Sequence, residues 1–250
     1  MEKGLFHELY KRSCELEMGR CPSPALSGFL HGYLSVYSMV RIYPWLEESF
    51  GEPYEIHERV REIARFIEPL AGNKNLPADV RAGYVVDLMD AYLLYSDMKF
   101  VDVALDAAYE ILIPKGSDKI VLPCRTPNIC RLLCNCYYFT GEDECIVLAK
   151  NLVTEALGVS RKFNCEELRD WWRAICFYED VVGTMELSLE EQISLEEERV
   201  RLTTCVKQQK DEIIERFHHV DEDIRFDVEV FNILAKRAFV ECNAAYRKWK

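Results

Sequence analysis

The sequence predicts an all-α protein built from antiparallel helix hairpins, and three observations carry that prediction. Apolar residues recur at steps of three and four along most of the chain. Proline-led helix starts and short polar breaks recur together at a spacing of about 45 residues, the mark of a helical repeat. No segment alternates with period two between turn residues. The nearest, Lys119-Ile120-Val121-Leu122, is too short to found a sheet, so strand is expected below about 5% of the chain.

Three first helices open alike. Ser23-Pro24, Leu76-Pro77 and Thr126-Pro127 each place a proline where the first helical turn has no N–H to lose, and Ser and Thr are good N-caps. Helically spaced apolar residues follow each start: Leu26, Phe29, Tyr33, Tyr37 and Val40; Val80, Tyr84, Leu88, Ala91 and Tyr95; Ile129, Leu133, Cys136 and Thr140. Each helix is expected to run into a break, FGEPYE at 50–55, YSDMKF at 95–100 or TGEDEC at 140–145. A second helix then follows, with Val60, Ile63, Ile67 and Leu70, with Val101, Ala104, Ala108 and Ile111, or with Ile146, Ala149, Leu152 and Ala156. Short connections make the two helices of each unit antiparallel neighbours, and the small Ala104 and Ala149 permit close approach. A fourth first-type helix is expected at Asn164, with Glu167 reaching back to complete a capping box ahead of Leu168, Trp171, Trp172, Ile175 and Tyr178.

Beyond Gly183 the character changes. Ser188-Leu189-Glu190-Glu191 opens a long polar helix to about Phe217. After Asp221, the series Ile224, Val228, Phe231, Ala235, Ala238, Cys242, Ala245 and Trp249 makes a coiled-coil-like seam. The organisation predicted is one all-α domain over 1–250, with hairpin repeats over 23–183 and a long C-terminal helical hairpin over 184–250.

A chain of 250 residues that is 49% apolar can bury a substantial core. Its 31 basic and 43 acidic side chains give a net charge of −12, which repels phosphate backbones and anionic lipid, so neither nucleic acid nor membrane is expected as a partner. The basic run Arg247-Lys248-Trp249-Lys250 is what a helix C-terminus attracts through its dipole. Residues 1–20 hold no apolar signal core and no long apolar stretch occurs elsewhere, so a cytoplasmic protein is expected. Its eleven cysteines are then reduced thiols packed as small apolar groups, an odd count that suits no complete disulfide framework.

The segments DAYLLYSDMKFVDVALDAAYEIL at 90–112 and CYYFTGEDECIVLAKNLVTEAL at 136–157 resemble the hairpins of the α/α-toroid, six-hairpin glycosidase-like proteins. In that group an aromatic-rich inner helix, a Thr-Gly-Asp-type turn and an alanine-bearing outer helix repeat around a ring. Tetratricopeptide arrays share this grammar, and the chain offers too few helices for a full ring, so the resemblance implies an open α/α array or an incomplete toroid. It also implies, for a sugar-cleaving relative, two carboxylates at inner-helix ends acting as acid and as base or nucleophile. Asp87 and Asp90, three apart on one helix, are the best-placed pair, with Glu179 and Asp180 as possible opposites. The competing reading makes all four ordinary solvated or capping charges.

Other constellations carry less. Cys130 and Cys134 share a helical face while Cys136 points elsewhere, which does not build a tetrahedral zinc site, and core packing accounts for them. His219 and Asp223 have the spacing of a metal pair, but the run His218 to Asp223 reads equally as a turn with acids at a helix start. Glu179 to Glu186 superficially matches a terpene-cyclase magnesium motif, but its last acid falls one place early. No phosphate loop, nucleophile elbow or zinc-protease helix is present, and no metal or cofactor is expected. Tyr84, Tyr92, Trp171 and Trp172, aromatic groups with polar handles on the first-type helices, are the candidate ligand-binding residues; a core between helix layers would use the same side chains. The expected function is a helical-repeat module that binds a protein or peptide. The alternative is a carbohydrate-active or sugar-binding relative of the toroids using Asp87, Asp90 and Asp180, and homodimerisation through 224–249 is a further possibility.

Overall fold

In the computed structural model the described residues are 2–95, 98–182, 189–218 and 227–247. Among them are eleven α-helices and no strand, so the protein is all-α. Its residues group into two compact units, 1–70 with 90–100 and 213–250, and 71–89 with 101–212.

The first unit holds α1 (Glu2–Glu15), α2 (Ser23–Ile42), the single turn α3 (Glu47–Phe50), most of α4 (Pro53–Ala71) and α11 (Val228–Arg247). Helix α2 was expected to continue to the break at 50–55, and it stops at Ile42 instead. Pro44 supplies no N–H and excludes the helical conformation of the residue before it, so Tyr43 leaves the helix at φ −124° and ψ 80°. At the start of α2 Ser23 is the first helical residue rather than the cap, and Pro22 occupies the cap position.

Helix α11 packs along α2 because α2 presents glycine to it. A methyl group added at Gly32 would stand 2.4 Å from the Phe231 ring, and one at Gly28 would stand 2.9 Å from Val228 Cγ2. Phe231, fully buried, fills the space and meets Phe6, Phe29 and Tyr33 at centroid separations of 6.3, 6.4 and 5.6 Å. Burial of such a ring contributes about 1.5–3 kcal/mol. Phe231 and Ala235 of the C-terminal seam are therefore occupied within this unit, while Ile224 and Trp249 lie outside the described residues.

Helix α1 ends under Arg59 of α4. The Arg59 guanidinium donates to the carbonyl of Ser13, at 2.9 Å, in the last turn of α1, and to that of Leu16 just beyond it. It also donates to Glu62 at 2.6 Å and lies 5.9 Å from the centroid of the Tyr33 ring.

The second unit holds the first part of α5 (Ala78–Tyr95), most of α6 (Met98–Leu112), α7 (Pro127–Thr140), α8 (Asp143–Val159), α9 (Cys165–Val182) and most of α10 (Leu189–His218). The caps fall as the sequence predicts at two starts. Thr126 Oγ1 accepts from Ile129 N, and Asn164 Oδ1 accepts from Glu166 N and Glu167 N while Asn164 N donates to Glu167. The TGEDEC break turns on Gly141 at φ 72°, a left-handed position that favours glycine, and it sends α8 back along α7. Helix α9 packs on the α7–α8 pair.

Helix α5 departs from the expected stripe. Val80 is exposed, whereas Ala82, Val85, Val86, Leu88 and Met89 are all buried and so are Tyr84 and Asp87, so burial on this helix is wider than the expected stripe. Thr140, expected on the apolar face of α7, is also exposed. Cys130, Cys134, Cys136 and Cys145 are buried in the α7–α8 pair as core thiols. The neighbouring Cys145 thiol and burial both push Cys136 above the ordinary cysteine range, so it stays a thiol.

Candidate interaction surface

The most distinctive surface of the first unit is built by the connection between α2 and α4. Tyr43, Phe50 and Ile56 are buried and pin the segment to the core. Between these anchors the backbone makes a 3-10 turn at Pro44–Leu46, where Leu46 N donates to Tyr43 O at 3.0 Å, then α3, then a left-handed Gly51 at φ 84°. The local geometry is thus set by proline, two short helical turns and one glycine.

The side chains between the anchors face outward. Trp45 and Tyr54 are each 69% exposed and Ile42 is 49% exposed. Trp45 does not hang free, because its ring lies 5.2 Å from that of Tyr43, whose hydroxyl donates to Asn243 Oδ1 of α11 at 2.8 Å. The buried ring holds the exposed one. Around them Glu47, Glu48, Glu52 and Glu55 are exposed, against a single basic residue, Arg41. Glu55 accepts from the Glu52 backbone N–H, while Glu47 and Glu48 form no salt bridge among the described residues. The stretch from Arg41 to Glu55 thus exposes two aromatic rings and an isoleucine among four carboxylates.

The residues singled out from sequence are placed differently. Tyr84 is buried in α5, and Trp171 is buried in α9 and stacked on Phe163 at 6.2 Å with planes 6° apart, so both are core. Trp172 is half-buried; Tyr92 is half-buried and donates to Met98 Sδ at 3.5 Å. Asp87 is 1% exposed, Asp90 is half-buried, Glu179 is half-buried and Asp180 is exposed at the end of α9. Asp90 Oδ2 lies 3.8 Å from His31 Nε2, a pair that could offer a cation one carboxylate oxygen and one imidazole nitrogen. His219 and Asp223 lie outside the described residues.

Two of the grooves on the described surface can be placed. One, of about 560 Å³, is lined by Leu16, Pro22, Ala25, Phe29 and Val228 with Glu15, Glu17 and Arg20 at its rim; the other, of about 220 Å³, lies between Leu122, Arg125 and Glu155. Neither is lined by Asp87, Asp90 or Asp180.

Comparison of the chain with protein-family models, curated proteins and solved structures gives no match. No helix among the described residues is long and apolar enough to cross a membrane. Sequence reasoning passed over Trp45 because it ran the first helix on to residue 50, and over Tyr54 because it took 50–55 for a polar break. The signal present was a tryptophan directly after a proline, between two amphipathic helices.

Proposed function

We propose that this protein is a helical binding module that takes a protein or peptide partner on the ledge of Ile42, Trp45 and Tyr54. The observation that carries the reading is the exposure of Trp45 and Tyr54 at 69% each, on a backbone fixed by buried neighbours. Isolated exposed apolar residues are ordinary. Two large aromatic rings and an isoleucine, all exposed between positions 42 and 54, are less so, and tryptophan and tyrosine are residues on which binding energy concentrates at protein interfaces. The carbohydrate-active alternative needs two carboxylates facing one accessible cleft, and of its candidates Asp87 is buried, Asp90 half-buried and Asp180 exposed.

The test is site-specific photocrosslinking in cells, with a photoreactive phenylalanine analogue replacing Tyr54. A discrete polypeptide adduct that disappears when Trp45→Ala is added is the expected result. Adducts absent at position 54, or unaffected by Trp45→Ala, would show that the ledge is not the binding surface.

A further inference from the structure

We infer that the occupant of this ledge is a cationic segment of a partner protein, a Lys- or Arg-bearing peptide whose aliphatic stems lie on Trp45 and Tyr54. The inference rests on the binding reading above and names the chemistry of its partner.

Charge complementarity selects the occupant. The stretch from Arg41 to Glu55 exposes four carboxylates, Glu47, Glu48, Glu52 and Glu55, against one guanidinium. An acidic peptide, a nucleic-acid backbone or an anionic lipid surface would meet like charge here, within a chain of net charge −12. A second copy docking symmetrically would oppose the same glutamates to themselves, since a two-fold interface brings one patch against its own image. A purely apolar segment would bury the ledge while leaving the carboxylate border without partners. A lysine or arginine side chain satisfies both parts at once. Its stem covers apolar surface, its charged head pairs with carboxylate, and a cation over tryptophan or tyrosine gains from the ring quadrupole. The negative field of the whole chain also draws such a segment toward the ledge.

The two glutamates without salt bridges matter here. A surface whose acids were already paired would have to break those pairs to receive a cation, whereas Glu47 and Glu48 form none among the described residues. Trp45 is likewise ordered before binding by Tyr43, which lowers the entropy lost on association.

The experiment uses the full chain and a fluorescein-labelled twelve-residue peptide of alternating lysine and leucine, with an analogue carrying glutamate at every lysine position. Anisotropy titrations compare the wild type with Trp45→Ala, with Glu47→Gln/Glu48→Gln, and with Glu196→Gln/Glu197→Gln. The last pair removes the same charge from exposed residues of α10. Circular dichroism confirms that each variant keeps its fold, which an exposed Trp45 permits. The lysine peptide is expected to bind and the glutamate peptide not to bind. Trp45→Ala and the Glu47/Glu48 variant should each weaken binding by about tenfold or more, as central interface residues do, while the α10 variant stays within about twofold. Equal losses in the two glutamine variants with Trp45→Ala unchanged would reduce the binding to bulk charge attraction and overturn the inference, as would no binding of the lysine peptide. Concentration-dependent dimerisation abolished by Trp45→Ala would assign the ledge to a second copy and also overturn it. A Trp45-dependent crosslink at position 54, combined with failure of the lysine peptide, would leave the binding reading standing and remove only the cationic partner. Loss of both would remove the binding reading itself.

Discussion

Single residues here take their roles from what surrounds them rather than from their type. Trp45 and Trp171 are the same side chain, yet one is 69% exposed and the other is stacked in the core. Buried tyrosines make the point in a titratable form. Burial, with the nearby Cys134 and Cys130 thiols, pushes Tyr178 from 10 up to about 12. Burial likewise raises Tyr10 and Tyr33. Each raised value means the fold favours the neutral phenol, so the stability it contributes is fully present below the unfolded pKa of 10 and is lost as pH rises through the folded one. Urea unfolding midpoints are therefore expected to fall between pH 10 and 12, and to fall less in Tyr178→Phe. A midpoint that is flat over that interval, or identical in the variant, would show that the buried phenol does not couple to folding.

At the scale of elements, two glycines show how the same substitution costs stability by different routes. Gly32 has room for no side chain, because Phe231 of α11 occupies the space that a Cβ would need. Gly32→Ala is expected to cost about 1–3 kcal/mol through overpacking, and combining it with Phe231→Leu should cost less than the sum of the two changes. Gly141 has nothing within 4 Å of an added Cβ, but its φ of 72° is left-handed. Gly141→Ala is thus expected to cost roughly 1–2 kcal/mol through the backbone alone, and to add independently to any change at Phe231. Chemical denaturation of the single and double variants reads both. Much at this scale was legible in advance: the caps at Thr126 and Asn164, the Gly141 turn and the second-helix stripes, buried except for the half-buried Leu70 and Ile146. Helix α1 was not read, although Leu5, Phe6, Leu9 and Tyr10 lie at helical spacing and are buried. The premature end of α2 was not read either, though Pro44 announced it.

For the whole molecule the dominant sequence property is charge. A net −12 sets carboxylates against one another across the surface, and salt screens that repulsion over a Debye length of about 10 Å at 0.1 M. The melting temperature is expected to rise as sodium chloride is increased from low ionic strength, as scanning calorimetry would show. A fall would mean that attractive pairs such as Arg81–Glu110, at 2.7 Å, outweigh the repulsion. By itself the sequence determined that the protein is all-α, where most helices start and turn, that the α7–α8 cysteines are core thiols, and that the chain is acidic. These follow from local periodicity, capping chemistry and composition, which need no knowledge of distant residues. Only the tertiary structure decided that α5 is buried over most of 81–89, that Tyr84 and Trp171 are packing groups, and that Trp45 is exposed beside a buried Tyr43. The hydrogen bond that anchors its neighbour Tyr43 is accepted by Asn243, 200 residues along the chain. Whether a ring is buried or presented depends on which distant element comes to lie beside it, and no local pattern encodes that partner.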